Sequence, residues 1–287
     1  MTDNRIIPLD FDSIDGVPES HSWPPFDEPL NKIQTCDLQD SLIPVIDLTN
    51  SKAMNLVGQA CKTWGMFQVI NHGVSSNLVK KIESESRRLF ALPAHEKCRV
   101  LRSSNGVTGY GSARISPFFD KGMWHEGFTF MGSCVDDAKV LWPHDFQRFC
   151  DTMDAYQNQV KQLTHELLLM ILETLDVTQE EIDWAISTHH SQNALQLNSY
   201  PSCPNPSHAL GDLLHIFNNA KFPVVSHRAV VNQSKHRISV AYFHGPPVES
   251  RVAPSAKFQK PCFKSLLVKE YLSLKSKHYE ALSWIRT

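Results

Sequence analysis

The sequence predicts an α+β protein with a helix-rich first half and a strand-rich second half. After Pro143, apolar residues recur alternately at every third and fourth position, which is typical of a long amphipathic helix. The stripe consists of Phe146, Phe149, Met153, Tyr156, Val160, Leu163, Leu167 and Met170. After residue 190 the apolar runs become short and strand-like. Helices first and strands later are typical of α+β proteins.

The N-terminal region should begin with an extended arm and two strands. Residues 1–42 are rich in Pro, Asp and Ser, which favours an arm without a core of its own. Residues 43–48 and 67–70 are predicted strands. Between them a helix should run to Trp64, with cap oxygens available from residues 49–51.

Further elements follow from local signals. A second helix is predicted from Ser76 to Leu92, ending before Pro93. Glycines and aromatics between residues 106 and 132 indicate hairpins, with Trp124 to Phe130 as one strand. The next elements are a helix opened by a capping box at 178–181, strands at 194–200, 224–231 and 238–243, and helical spacing from Tyr271 to Ile285.

Composition excludes several classes of protein. The 287 residues are 41% hydrophobic and 20% charged with a net charge of −2, which suits a sizeable core and not a nucleic-acid surface. No signal peptide or membrane-spanning run is visible. The seven cysteines are odd in number and include no Cys-x-x-Cys, so free thiols in the cytoplasm are expected.

The chemistry-bearing pattern lies in the strand-rich half. His227 stands in a strand-like run, and Arg237-x-Ser239 follows ten residues later in the next run. A histidine followed by Arg-x-Ser in this way is typical of a non-haem iron oxygenase. Such a site also needs a second histidine and a carboxylate two residues apart. No His-x-Asp occurs in the chain, and the only His-x-Glu is His278-Tyr279-Glu280 near the C-terminus.

The chain resembles plant Fe(II)/2-oxoglutarate-dependent dioxygenases of the gibberellin 3-beta-dioxygenase type. General family motifs are residues 43–48, 64–73 and 198–201. Motifs closer to the gibberellin group are residues 109–111, 113–116, and 123–124 with 126–129.

The resemblance implies a fold and a reaction. The fold would be a helical N-terminal region and a double-stranded β-helix, or jelly-roll, core. The reaction would be 3-beta-hydroxylation of a gibberellin by a cytoplasmic monomer, with Fe(II), 2-oxoglutarate and ascorbate. No nucleic acid and no membrane are expected as partners.

The resemblance also assigns site residues and regions. His227 would be a metal ligand, and Arg237 and Ser239 would bind the distal carboxylate of 2-oxoglutarate. Tyr200 would add a hydroxyl to that carboxylate, and Asn198 a polar contact near the keto acid. The regions would be the arm (1–42), an N-terminal dioxygenase region (43–140), long helices (141–190), the jelly-roll core (191–250) and a C-terminal helical segment (251–287).

The jelly-roll core should be incomplete by about three strands. Leu195 to Pro247 comprises 53 residues, whereas eight strands with turns need roughly 80. Residues 207–210 join directly to 211–216, where the family has its His-Thr-Asp strand and a hairpin. A skipped exon, a gene-model error and a decayed gene all remain open. The chain is therefore expected to be inactive, and the alternative function is that of a non-catalytic truncated isoform or decoy binding protein.

No other residues replace the missing ligands convincingly. His208 is followed by Leu210 at the carboxylate position, and Asp212 lies too far along to share its strand face. The other histidines considered, His215, His189, His190 and His125, have ordinary structural explanations; His125 and Glu126 belong to the hairpin region that lines the gibberellin pocket in relatives. Ala220, at a turn where the family usually has Asn-Gly, should adopt a positive φ at a cost of about 1 kcal/mol.

Overall fold

The protein is described by a computed structural model. It covers residues 6–14, 16–22, 43–104, 106–113, 120–175, 177–186, 192–202, 207–209, 220–223, 227–229, 234–255, 257–258, 260–278 and 280–287. The α-helices in these ranges are α1 (Ala53–Thr63), α2 (Ser76–Phe90), α3 (Ala94–Lys97), α4 (Val135–Leu141), α5 (Phe146–Glu173), α6 (Gln179–Ile186) and α7 (Val268–Lys277). None of them is long and apolar enough to cross a membrane.

The strands form one larger sheet and three pairs within the described ranges. They are β1 (Val45–Asp47), β2 (Gln68–Ile70), β3 (Gly109–Gly111), β4 (Glu126–Met131), β5 (Gln192–Tyr200), β6 (Ser207–Ala209), β7 (His227–Ala229), β8 (Arg237–Gly245), β9 (Arg251–Val252) and β10 (Leu266–Leu267). The larger sheet has the order β3-β4-β5-β8 and is antiparallel throughout. The pairs are parallel β1-β2 and antiparallel β6-β7 and β9-β10. Within the described ranges these strands form no closed barrel.

Most of the core lies between this sheet and the helices. α5 contacts α1, α2, α4 and β8, which makes it the central support of the molecule. Its residues Phe149 and Met153 are fully buried against Phe130 and Leu195 of the sheet. A second cluster joins the end of α5 to α1. There Gly58 allows close approach, because a Cβ atom on it would lie 2.5 Å from Thr174 Cγ2.

Most predicted helices and strands are confirmed, with small shifts at their ends. The capping box is also confirmed: Thr178 N donates to Glu181 Oε2 at 3.0 Å, and Glu181 N donates to Thr178 Oγ1 at 3.3 Å. The predicted cap of α1 is wrong. That helix starts after Lys52 without a side-chain cap, because Asn50 Oδ1 accepts a bond from the Lys52 amide in the preceding turn.

The two ends of the chain differ from expectation in detail. The C-terminal helical spacing is split, since α7 ends before His278, which has an extended backbone, and a separate 3-10 turn spans Ala281–Ile285. The described part of the arm is docked, with Ile6 O accepting from Ser112 N at 2.8 Å. The five described cysteines are free thiols, as expected; they are Cys61, Cys98, Cys134, Cys150 and Cys262.

Candidate functional site

The larger sheet has two faces of opposite character. Register partners in a sheet share a face, and neighbours along a strand alternate between faces. One face carries Phe128, Leu197 and Val240 in register and packs against the helices. The other face carries Asn198 and Ser239 in register and is called the polar face below.

The polar face brings together the four residues predicted to bind 2-oxoglutarate. Asn198 is the register partner of Ser239, and Tyr200 is the partner of Arg237. Asn198 Nδ2 donates to Ser239 Oγ at 3.3 Å, and Arg237 Cζ lies 4.9 Å from the centre of the Tyr200 ring. Two motifs that are about 40 residues apart in the chain thus form one cluster.

Arg237 is the cationic group of this cluster. It is exposed, and no carboxylate lies within 4.0 Å of it in the part of the chain that the structure describes. Stacking on Tyr200 orients the guanidinium without using its N–H donors. A planar fork of donors beside the Ser239 and Tyr200 hydroxyls suits a ligand carboxylate.

His125 belongs to the same cluster, a placement that sequence reasoning missed. Its ring centre is 5.0 Å from that of Tyr200, and its Nε2 lies 2.9 Å from Asn198 Oδ1. Asn198 Oδ1 also accepts from Gln196 Nε2 at 2.7 Å. Because an amide oxygen only accepts, His125 must be protonated at Nε2. Its Nδ1 is buried and has no hydrogen-bond partner among the described residues.

The ring of His125 occupies space that a glycine leaves open. Gly127 is the register partner of Asn198, and a Cβ atom on Gly127 would lie 2.9 Å from His125 Cε1. Burial lowers the pKa of His125 to about 4, and its bond to Asn198 only partly opposes that effect. The imidazole is therefore neutral at ordinary pH.

Behind the polar face, on the helix side of the sheet, Glu126 joins four elements. Its Oε2 accepts from Lys97 Nζ and from the Tyr110 hydroxyl, both at 2.7 Å, and its Oε1 accepts from Ser199 Oγ at 3.0 Å. Burial, with the Glu126 charge as a second cause, raises the pKa of Tyr110 well above its usual range. Lys97 and Glu126 are both almost fully buried, so this ion pair fixes α3 and β3 to β4 and β5.

The predicted metal position lies on the β6–β7 pair. His227 is the register partner of Ala209, and His208 is the partner of Arg228. Alanine has no ligand atom, and His208 is one residue out of phase with the position opposite His227. Neither strand contains a carboxylate. Leu210, Asp212, His215, His189 and His190 lie outside the described residues, and so do the side chains of β6 and β7.

The donor set on these two strands does not fit an Fe(II) ion. A facial triad needs two histidines and a carboxylate around one point, and the register supplies one histidine at the predicted position. No cluster of three or more His, Cys, Asp or Glu side chains occurs elsewhere in the described ranges. The polar face, in contrast, has the groups that a carboxylate requires.

Comparisons with known proteins identify the family of the chain. Residues 43–148 match the family model "non-haem dioxygenase in morphine synthesis N-terminal", and residues 208–246 match the 2OG-Fe(II) oxygenase superfamily. The chain is 38% identical to gibberellin 3-beta-dioxygenase 1 of Pisum sativum, over 96% of this chain and 89% of that protein. It is 36% identical to gibberellin 3-beta-dioxygenase 3 of Arabidopsis thaliana, over 99% and 95%.

The chain belongs to the 2-oxoglutarate–Fe(II) dioxygenases, in the gibberellin 3-beta-dioxygenase group. Solved dioxygenases share its fold. A crystal structure of JOX2 in complex with 2OG, Fe and JA has a TM-score of 0.78 at 19% identity, covering 96% of this chain and 95% of that one. A dioxygenase for auxin oxidation from rice has a TM-score of 0.65 at 17% identity, covering 86% and 100%.

The length of the alignment with a relative bears on the predicted internal deletion. The alignment with the Pisum sativum relative spans 332 positions, whereas 96% of 287 residues is about 276, so about 56 positions have no residue here. That shortfall leaves room for the three missing strand-and-turn units, which at about ten residues each need roughly 30. The superfamily match starts at His208, beside the predicted join.

Proposed function

We propose that this fold serves 3-beta-hydroxylation of a gibberellin with 2-oxoglutarate, Fe(II), O2 and ascorbate, and that this chain itself does not complete the reaction. The observation that supports the loss of activity is the register of β6 and β7, in which Ala209 lies opposite His227. One histidine without a carboxylate partner is too weak a ligand set for iron. Even the loss of a residue that only hydrogen-bonds to a metal ligand typically lowers metal affinity or activity about 10–100-fold.

The chain retains the side chains that would hold the far carboxylate of 2-oxoglutarate. In this proposal Arg237 forms a two-pronged contact with that carboxylate, and the Ser239 and Tyr200 hydroxyls complete it. Asn198 would face the keto-acid end. Without metal chelation, an exposed arginine–carboxylate contact contributes little. We therefore expect a dissociation constant in the millimolar range or weaker, a binding free energy of about −4 kcal/mol.

The alternative function is that of a non-catalytic binding protein or decoy. Two observations favour this alternative: the polar face has side chains that suit a carboxylate, and the β6–β7 pair lacks the donors for iron. A chain of this kind would bind 2-oxoglutarate or a gibberellin without releasing product. We also propose that the chain is a monomer in the cytoplasm. Sedimentation of the purified chain would check the monomer, and imaging of a tagged copy would check the location.

Iron titration and turnover on one preparation test the proposal. We expect no stoichiometric Fe(II) binding and no hydroxylated product from a 3-deoxy gibberellin with iron, 2-oxoglutarate and ascorbate supplied. Product formation that depends on both iron and 2-oxoglutarate would refute the loss of activity. A Pisum sativum relative assayed in parallel shows that the conditions support the reaction.

Binding of 2-oxoglutarate in a chelator tests the retained site. Ligand-observed NMR should detect weak binding that Arg237→Ala abolishes. Arg251→Ala, which removes another exposed strand arginine, should leave it unchanged. Micromolar affinity without metal, or binding indifferent to Arg237→Ala, would contradict the assignment.

A further inference from the structure

The inference concerns His236, the residue before Arg237, and it rests on the proposed 2-oxoglutarate site. Arg237 is the first residue of β8, and its pairing with Tyr200 is the last pair of the β5–β8 ladder. The end of a strand ladder opens more readily than its middle, because it has fewer neighbours to hold it. The carboxylate-binding arginine therefore lies where the pairing of β8 restrains the backbone least.

A series of side-chain hydrogen bonds ties this strand end to the buried ion pair behind the sheet. His236 Nε2 lies 2.9 Å from Ser199 Oγ, and Ser199 Oγ donates to Glu126 Oε1 at 3.0 Å. Glu126 is held in turn by Lys97 Nζ at 2.7 Å, and both of these side chains are almost fully buried. The contact of His236 with Ser199 lies just beyond the final backbone pair of the ladder, so it adds a restraint where the ladder stops.

The direction of each of these hydrogen bonds is fixed. A carboxylate paired with a lysine only accepts, so the single hydrogen of the Ser199 hydroxyl is directed at Glu126. Ser199 Oγ then accepts from His236, and His236 must carry a hydrogen on Nε2. The side chain at position 236 therefore acts as a donor in this contact.

His236 acts from the face of the sheet opposite to the proposed ligand. Ser199 is the register partner of Glu126 and of Ile238, on the helix side of the sheet, whereas Tyr200 and Arg237 lie on the polar face. The bond from His236 to Ser199 thus takes none of the donors that Arg237 offers to a carboxylate. His236 is also exposed, so its replacement leaves no buried cavity.

We propose that His236 is a positioning residue for Arg237. Through Ser199 and Glu126 it holds the start of β8 against β5, and so keeps the guanidinium over the Tyr200 ring. Without this bond the first residues of β8 separate from β5 for part of the time. Only the closed fraction binds a carboxylate, so the apparent affinity falls in proportion to that fraction.

Titration of the full chain with 2-oxoglutarate in a chelator, followed by ligand-observed NMR, tests the proposal. His236→Leu removes the donor and should weaken binding by about fivefold, the factor expected for one hydrogen bond. His236→Gln places an amide donor near the Nε2 position and should bind as the unmodified chain does. His236→Asn, whose amide is one methylene shorter, should bind as weakly as His236→Leu.

His244 is the matched control, because it makes a similar contact at the other end of the same two strands. Its Nδ1 lies 2.7 Å from Asn193 Oδ1, and it is seven residues from Arg237, roughly 23 Å along an extended strand. His244→Leu should lower the urea midpoint about as much as His236→Leu and leave binding unchanged. Equal effects of the two variants on binding, with binding that still depends on Arg237, would overturn this inference and leave the proposed site intact. Failure of the unmodified chain to bind 2-oxoglutarate would overturn both.

Amide hydrogen exchange gives a second readout that needs no ligand. In His236→Leu the exchange of residues 237–239 should be about fivefold faster than in the unmodified chain, because local opening at this strand end loses one restraining hydrogen bond. Exchange of residues 243–245 should be unchanged, and His236→Gln should restore the slower rate at 237–239. Unaltered exchange of residues 237–239 in His236→Leu would overturn the proposal, since the start of β8 would then not depend on His236.

Discussion

The helix-packed sheet β3-β4-β5-β8 and the β6–β7 pair differ in the elements that they contact. The sheet β3-β4-β5-β8 packs a mostly apolar face against α2 and α5. β6 and β7 pair with each other and with no further strand in the described ranges. In the described ranges the four-stranded sheet therefore keeps its packing against the helices, whereas the β6–β7 pair lies apart from that sheet.

The helix-packed face should carry most of the stability, and two phenylalanines of the same sheet test this. Phe130 is 1% exposed, whereas Phe243 is 53% exposed. Phe130→Ala should cost about 3–5 kcal/mol because it leaves a cavity beside Phe149, and Phe243→Ala should cost about 1 kcal/mol or less. Urea denaturation measures both. Similar losses for the two variants would break the comparison.

The buried ion pair behind the sheet should be nearly as important. Lys97→Met leaves the Glu126 carboxylate buried without its cation, and we expect a loss of about 3 kcal/mol or somewhat more. The double variant Lys97→Met/Glu126→Gln removes the unpaired charge and should recover much of that loss. As a surface control, Lys269→Met breaks the exposed pair with Glu249 and should change stability by less than about 1 kcal/mol.

How far these features follow from sequence depends on how local they are. The capping box at 178–181 and the positive φ of Ala220, which is 64°, were predictable because each depends on adjacent residues. The spacing of Arg237 and Ser239 predicted a shared face, but only the resemblance placed that strand beside Asn198 and Tyr200.

Features that depend on distant partners were not predictable. Lys97 and Glu126 are 29 residues apart, and His125 meets Asn198 across 73 residues. The one local signal for His125 was Gly127 two residues on, which leaves room for a ring on the same strand face. That signal gives the space but not its occupant.

Acid should weaken the polar face before the helix-packed face. The folded pKa of His125 is about 4 because the ring is buried, against 6.5 for an ordinary histidine. Between pH 4 and pH 6.5, His125 therefore binds a proton in the unfolded chain but not in the folded chain. Its contribution to the free energy of unfolding is fully present above pH 6.5 and is lost as the pH falls toward 4. The full difference is about 3 kcal/mol.

The matched variant isolates this contribution from the other histidines. His125→Asn has no titrating group at this position, so its urea midpoint should fall less between pH 7 and pH 4.5 than that of the unmodified chain. If the urea midpoints of the two proteins fell equally over this pH range, His125 would bind a proton as readily in the folded chain as in the unfolded chain.

The smallest effect should come from Ala220, in a turn two residues before Phe222. Two residues later, Phe222 is 4% exposed and packs in the cluster between α1 and α5, so the turn positions an anchor. A φ of 64° strains any residue with a Cβ atom, and Ala220→Gly should stabilise the fold by up to about 1 kcal/mol. Asn71, with a φ of 54°, is the control: its side chain bonds Asp47 Oδ2 at 2.9 Å, so Asn71→Gly gives up a contact and should bring no gain. An unchanged urea midpoint for Ala220→Gly would mean that the positive φ of Ala220 does not strain the folded chain. The turn would then contribute less to stability than the burial of Phe222 indicates.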